Sequence, residues 1–341
     1  MKLYLSKLLI LLTYGMVFGQ SKLIHKNLKD DINISIYIPD GYNKWEAYDI
    51  VYFNDGENLL DAFLSDKLDN IIREGTIPPI IAVAISHPFK RTDRYLPYND
   101  TWVTKSYGTY NKNNIYKYTN DIVQKVIPFI KSNYKVKKQA LIGFSFGGLH
   151  AVWVGIHYPE LFDFVGGMSP SLWVGNNAIF EEKLPPNLPA FWIDIGTIEW
   201  NYYVPMYEKL RNNGLREGKE VFYYEVLGGK HSIQDWINRL EYPLKVLTAT
   251  NLEDPPKMLK VFSVVIPSKS QPGKNFRRIN AVLTLANGVP ITLASDASYR
   301  IIDAKNQGEF VRTDGSYDLG ELKNMMLEVS YQNFSDKIKV Y

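Results

Sequence analysis

Ala140-Leu-Ile-Gly-Phe-Ser-Phe-Gly-Gly-Leu-His150 is the stretch on which the rest of the chain turns. Its centre, Gly143-Phe144-Ser145-Phe146-Gly147, is a G-x-S-x-G sequence with an apolar run before it and a helix-like run after it. A strand that ends, turns sharply through a serine and enters a helix is a nucleophile elbow. The turn is cramped, and a Cβ at position 143 or 147 is expected to press on the neighbouring strand or on the serine backbone. Ser145 is then lifted to the top of a sheet beside a helix N-terminus, where the positive end of the helix dipole favours a developing oxyanion. The same letters arise by chance in turns; the flanking strand and helix patterns separate the two readings.

Upstream, Ile32-Asn-Ile-Ser-Ile-Tyr-Ile-Pro39 alternates apolar and polar residues as a half-exposed strand does. Asp49 to Phe53 reads as a strand that runs into the turn Asn54-Asp55-Gly56-Glu57-Asn58 and a helix from about Leu59. Pro79 to Ile85 is apolar throughout, as a buried parallel strand is. A polar loop with His87, Arg91, Arg94 and Tyr95 follows, and helical spacing covers Thr119 to Tyr134. Downstream the sequence predicts a helix over Leu149–Tyr158, strands at Leu161–Met168, Pro189–Ile195 and Glu220–Val226, and helices at Val204–Asn212 and through Trp236 and Leu240. Strands alternating with helices across short loops imply a mostly parallel sheet covered on both faces. Beyond Glu253-Asp-Pro-Pro256 the pattern changes to short strands alone: Met258–Pro267, Arg278–Leu285, Ile291–Ala294, Tyr299–Ile302 and Met325–Tyr331. The expected organisation is an α/β domain over 20–252 followed by a small all-β, sandwich-like module over 257–341.

The 341 residues are 45% hydrophobic and 22% charged, enough for a sizeable core, and the net charge of +3 gives no footprint for nucleic acid. Residues 1–19 read as a secretory signal: Lys2 and Lys7, an apolar stretch from Leu8 to Phe18, and cleavage between Gly19 and Gln20. An uncleaved anchor is the alternative; the apolar stretch is short for a membrane span. The expected destination is the periplasm or beyond. With no cysteine in the chain, neither a disulfide nor a lipidated cysteine is available.

A serine hydroxyl needs a base within hydrogen-bond reach, and behind an elbow the chain order is Ser, acid, His. Of the five histidines only His231 follows the last strand of the alternating pattern, in a glycine-rich loop. Glu199 lies just past the carboxyl end of the preceding strand, where site residues gather in such sheets. Asp194, inside that strand, is the second candidate for the acid, and a Ser-His dyad is the third arrangement. Oxyanion donors are the main-chain N–H of Phe146 and, from the turn after the early strand, that of Glu57.

Six segments together carry a resemblance. Asn54-Asp55-Gly56-Glu57, Arg94-Tyr-Leu-Pro97, Gly143-Phe-Ser-Phe-Gly-Gly148, Ser169-Pro-Ser-Leu-Trp173, Ile195-Gly-Thr-Ile-Glu199 and Gly229-Lys-His-Ser232 with Trp236 occur in that order. The chain is similar over roughly residues 30 to 245 to the putative esterase family of α/β-hydrolases, which includes feruloyl and acetyl xylan esterases and enterochelin esterase-like enzymes. The resemblance implies an α/β-hydrolase fold, serine esterase chemistry, and Ser145, Glu199 and His231 as the triad. It departs from the pattern at Asp55-Gly56, where several branches have His-Gly, and at Val174, where a second Trp is common in the siderophore branch. Arg94 falls where the family has a site-rim arginine, to bind a substrate anion or to pair with a carboxylate. Trp173, Trp200, Tyr202 and Tyr203 flank the expected site and could stack on a sugar or a phenolic acyl group. No phosphate loop and no metal-ligand spacing occurs, so no cofactor is expected. The leading substrate class is an acyl ester of a carbohydrate, with a siderophore trilactone second. An acyltransferase and a catalytically silent binding protein are the other readings. The β module is expected to dock to a polymer or partner, or to cover an apolar face of the first domain.

Overall fold

The elbow strand sits at the middle of an eight-stranded sheet. The structure is a computed structural model that describes residues 21–58, 64–199, 203–267, 275–293, 297–302, 316–317 and 326–339. The expected signal segment, the helix start at Leu59, Trp200 and Tyr202 lie outside those residues. The strands of the sheet are β1 (Lys22–Asn27), β2 (Asn33–Ile38), β3 (Ala47–Phe53), β4 (Ile81–Ser86), β5 (Lys135–Phe144), β6 (Phe164–Met168), β7 (Ala190–Gly196) and β8 (Val221–Val226). Their spatial order is β1-β2-β4-β3-β5-β6-β7-β8. The first two run antiparallel to their neighbours, and the rest are parallel.

Helices α1 (Ser65–Arg73), α2 (Arg91–Tyr95), α3 (Thr101–Tyr107), α4 (Asn114–Asp121), α5 (Ile127–Asn133), α6 (Phe146–His157), α7 (Val174–Asn177), α8 (Val204–Asn212), α9 (Ile233–Arg239) and α10 (Glu241–Thr248) fill the connections. Successive strand side chains point to opposite faces, and this sheet buries both. Tyr52, Leu141, Val165 and Ile193 pack with Ile122, Val126, Ile130 and Val152 on one side. Phe53, Ile142, Phe164 and Trp192 pack with Leu68, Ile71, Leu240 and Leu244 on the other. That is why the central strands read as continuous apolar runs. Helix α6 is buried from Phe146 to Ile156, which accounts for its lack of a polar face.

Two features escaped the sequence pattern. His25 lies on an edge strand, β1, that precedes the first strand read from the sequence, and is hydrogen-bonded to Ser35 of β2 (2.8 Å). The segment read as a polar loop after β4 contains α2 and α3, the latter capped by Asp100, whose carboxylate accepts from the Val103 N–H (2.9 Å).

Beyond Pro256 come β9 (Met258–Pro267), β10 (Asn275–Thr284), β11 (Pro290–Thr292), β12 (Ser298–Ile301), β13 (Ser316–Tyr317), β14 (Met326–Tyr331) and β15 (Phe334–Lys339), in two antiparallel sheets. Among the described residues, their buried apolar side chains do not form a separate core. Leu259, Val261, Ile279, Leu283, Leu327 and Val329 belong to the same buried cluster as Phe222, Trp236 and Leu244. At the edge of the large sheet, the Glu225 N–H donates to Thr292 Oγ1 (2.9 Å) and Asn280 Nδ2 donates to the Glu225 carbonyl (3.1 Å). The polar edge of β8 is thereby partnered by β10 and β11.

Candidate active site

Ser145 joins β5 to α6 with φ 54° and ψ −116°, a left-handed backbone that non-glycine residues rarely adopt. Its N–H donates to the Met168 carbonyl (3.1 Å), which ties the turn to β6. A Cβ on Gly143 would come within 2.0 Å of the Gly147 carbonyl oxygen, so the elbow closes only on glycine there. At Gly147 the neighbour is not a strand but the β3 turn: a Cβ would meet Asn54 and Asp55 at 3.0 Å.

Ser145 Oγ lies 3.0 Å from His231 Nε2, and His231 Nδ1 lies 2.6 Å from Glu199 Oε2. The carboxylate accepts, so Nδ1 carries the proton and Nε2 is left to accept from the serine hydroxyl. The three residues come from three segments separated by dozens of positions, brought together at the carboxyl ends of β5, β7 and β8. Gly196 permits the approach of the last two: a Cβ there would stand 2.1 Å from the Gly229 carbonyl oxygen and 2.9 Å from Glu199 Oε1. Trp236 meets the His231 ring edge-on, centroids 4.9 Å apart. Glu199 is nearly inaccessible while the His231 side chain is 46% exposed, so the ring faces the solvent side and the acid backs it.

The other histidines are elsewhere. His87 pairs with Asp121 and His157 with Glu182. His150 is wholly buried on α6, held between Asn54 Nδ2 (3.0 Å) and Thr119 Oγ1 (3.1 Å). Burial, helped by the nearby Arg94 charge, pushes its pKa down to about 3, so it stays neutral. Asp194 does not touch His231. It accepts from the Trp192 indole (2.8 Å), the Ser169 N–H (3.0 Å) and Arg239 (2.8 Å).

Beside Ser145 opens a cavity of about 400 Å³ lined by Trp102, Tyr107, Phe146, Trp173, Ile198 and Lys230, among others. Trp102 and Trp173 meet edge to face at 5.2 Å, and Tyr107 meets Phe146 at 5.5 Å. Trp173 was legible in the sequence; Trp102 and Tyr107 were not, because they ride on α3. The signal for that helix was its Asp100 cap.

Arg94 is not at the rim. It is buried, 2% exposed, and its guanidinium forms a two-pronged pair with Glu57 above the Tyr95 ring, 4.9 Å from its centroid. Of the two roles open to it, carboxylate pairing is the one the structure shows. The guanidinium is buried while the Glu57 carboxylate is partly exposed, so Arg94 cannot meet a substrate without breaking this pair. Burial opposes ionisation of Glu57, but Arg94 outweighs it and holds the carboxyl below its ordinary value. Glu57 also accepts from its own N–H and is not among the residues lining the cavity. The more exposed arginine is Arg91, which holds Asp55 with two bonds (2.7 and 2.8 Å) and donates to the Phe144 carbonyl (3.1 Å). Phe146 is the first residue of α6, where helix N–H groups lack helical acceptors. Among the described residues no cluster of three or more His, Asp or Glu is placed to hold a metal ion.

The model of the family described as "Putative esterase" matches residues 25–245, more than half of the chain. The chain belongs to the putative esterase family. This esterase is 27% identical over 172 residues to an uncharacterized protein, YbbA, of Bacillus subtilis, covering 48% of this chain and 68% of that one. It is 26% identical over 153 residues to an endo-1,4-beta-xylanase/feruloyl esterase of Xylanibacter ruminicola, covering 40% of this chain and 19% of that one. Among solved structures, the BES protein from Bacillus cereus superimposes with a TM-score of 0.55 at 17% identity, covering 73% of this chain and all of that one. The siderophore hydrolase EstA from Aspergillus nidulans does so with a TM-score of 0.52 at 18% identity, covering 67% and 95%. At such identities the solved structures establish the fold alone, an α/β-hydrolase fold over the part they cover; the C-terminal sheets are seen in this chain's own topology. Family membership makes the protein a carboxylic ester hydrolase.

Proposed function

We propose that this esterase works through an acyl-enzyme on Ser145 and is exported to act on acyl esters of carbohydrates. The supporting observation is the chain Ser145 Oγ–His231 Nε2 at 3.0 Å and His231 Nδ1–Glu199 Oε2 at 2.6 Å, open to an aromatic cavity. Ser145 Oγ forms a bond to the ester carbonyl carbon as its proton passes to His231 Nε2. The alkoxide oxygen of the leaving alcohol takes that proton as the C–O bond breaks. Water then gives a proton to His231, attacks the acyl carbon, and Ser145 recovers its proton as the acid departs. Glu199 fixes the tautomer and offsets the imidazolium charge in both halves. The Phe146 N–H serves the oxyanion, joined by that of Glu57 when it leaves its own carboxylate.

Carbohydrate esters are favoured because Trp102, Trp173 and Tyr107 offer flat faces beside the nucleophile, and because one sequence relative is named a xylanase and feruloyl esterase. A siderophore trilactone is the second reading, since the Ser169-Pro-Ser-Leu-Trp173 element bends round the nucleophile with Ser171 Oγ 3.3 Å from Ser145 Oγ. Export rests on the Lys2, Lys7 and Leu8–Phe18 pattern. Turnover of acetyl, feruloyl and catecholate lactone esters by the mature protein ranks the substrates. Ser145→Ala should lose on the order of 10³-fold or more in kcat and all fluorophosphonate labelling. Labelling that persists at another serine refutes the nucleophile, and a mature N-terminus other than Gln20 refutes the cleavage site.

A further inference from the structure

Behind Glu199 lies a buried charge cluster that the acyl-transfer steps do not use. Arg239 on α9 is 3% exposed and Asp194 on β7 is fully buried. The Arg239 Nε and Nη2 both donate to Asp194 Oδ1, at 3.1 and 2.8 Å. The same Nη2 donates to Ser169 Oγ (2.5 Å), and the Ser169 hydroxyl in turn donates to Glu199 Oε1 (2.6 Å). That oxygen also accepts the Gly196 N–H (2.9 Å) and stands 3.8 Å from Arg239 itself. Ser169 holds φ 42°, a left-handed backbone for a residue with a side chain, and its N–H is fastened to Asp194 (3.0 Å). One oxygen of Glu199 is thus held by two donors with the Arg239 charge nearby, and Oε2 is left for His231.

We propose that Arg239 is a positioning residue for the acid of this site: through Ser169 it pins Glu199 Oε1 so that Oε2 stays on His231, and Asp194 offsets its charge. Without that offset, a buried cation 3.8 Å from Glu199 would neutralise the carboxylate that the imidazolium needs. With it, Asp194, Arg239 and Glu199 sum to one negative charge, which a protonated His231 cancels. Among the described residues, the other charged or titratable groups around His231 and Glu199 are Tyr203, buried beside Glu199, and Lys230 and Asp235, linked by the Lys230 N–H to Asp235 Oδ2 (2.7 Å). None of these three bonds to the pinned oxygen. The inference rests on Ser145, His231 and Glu199 acting as the triad.

The test uses the full chain with Asp194→Asn, Arg239→Gln and the double variant. Each is counted by fluorophosphonate titration of Ser145, and kcat/KM for p-nitrophenyl acetate is followed over about pH 5 to 9. Asp194→Asn leaves Arg239 uncompensated, disfavours the imidazolium, and should move the acid limb down by about one pH unit with kcat per titrated site about tenfold lower. Arg239→Gln should move the limb up by a similar amount. The double variant should restore the limb but not kcat, because the pin is lost. A residue that only holds the fold would lower the number of titratable sites and leave the limb in place. Limbs that stay put, or single variants that move the same way, overturn the proposal. If Arg239→Gln gives no titratable protein, Asp194→Asn against the double variant decides by the same criterion. Absence of label on Ser145 in the unaltered protein strikes at the triad instead.

Discussion

Lowering the pH from 7 to 5 should destabilise this protein through a residue that plays no part in the proton transfers. His150 has an ordinary pKa of 6.5 and a folded value of about 3, set by its complete burial and then by the Arg94 charge. Around the ring stand Asn54, Thr119, Tyr95 and Tyr118, with the Arg94–Glu57 pair beyond them. As pH falls through 6.5 the unfolded chain takes up a proton that the folded chain refuses until about 3. The unfolded state binds more protons throughout that window, so stability falls as pH falls. At about 1.36 kcal/mol per unit of pKa difference, a drop to pH 5 withdraws about 2 kcal/mol through this one side chain. Urea unfolding of the unaltered protein and of His150→Gln, at both pH values, isolates the term. Glutamine keeps an acceptor or donor for Asn54 and Thr119 but does not titrate. His87, whose pKa is also lowered by burial, is present in both chains and cancels in the difference. The variant, whatever its stability at pH 7, should lose about 2 kcal/mol less between the two pH values than the unaltered chain. Equal losses would refute the argument, because they would mean that His150 is protonated in the folded state or solvated by opening.

Three further outcomes follow from the geometry. Glu199→Gln should lower kcat by about 100-fold or more while the serine still labels slowly, and Asp194→Asn should cost less; a reversed order would make Asp194 the acid. A chain ending near Glu253 removes Leu259, Ile279 and Leu283 from the buried cluster they share with Phe222, Trp236 and Leu244, and should aggregate or lose activity on small esters. Full solubility and unchanged kcat/KM on a small ester, with loss confined to a polymer, would instead make the module a docking unit. Trp102→Ala should raise KM for feruloyl or sugar esters by about tenfold and change p-nitrophenyl acetate little, as kinetics on the two substrates will show.

What the sequence determined by itself is what short-range sterics and periodicity control. The crowding at Gly143 is a property of one turn, and the unbroken apolar runs of β3, β4 and β6 follow from burial on both faces. Chain order then singled out His231 and pointed to Glu199, and the structure places both in hydrogen-bond contact with each other, with Ser145 at the other ring nitrogen. The tertiary structure alone decided the rest. Arg94 could be assigned to a rim until the fold set Glu57, 37 positions away, against it. Asp194 and Arg239, 45 positions apart, look like an ordinary strand aspartate and helix arginine until β7 and α9 bring them behind Glu199. The C-terminal strands carry a recognisable β pattern, yet nothing in that pattern says that their apolar side enters the core of the large sheet. Local pattern fixes which face of an element is apolar; only the packing of whole elements fixes which distant side chain meets it.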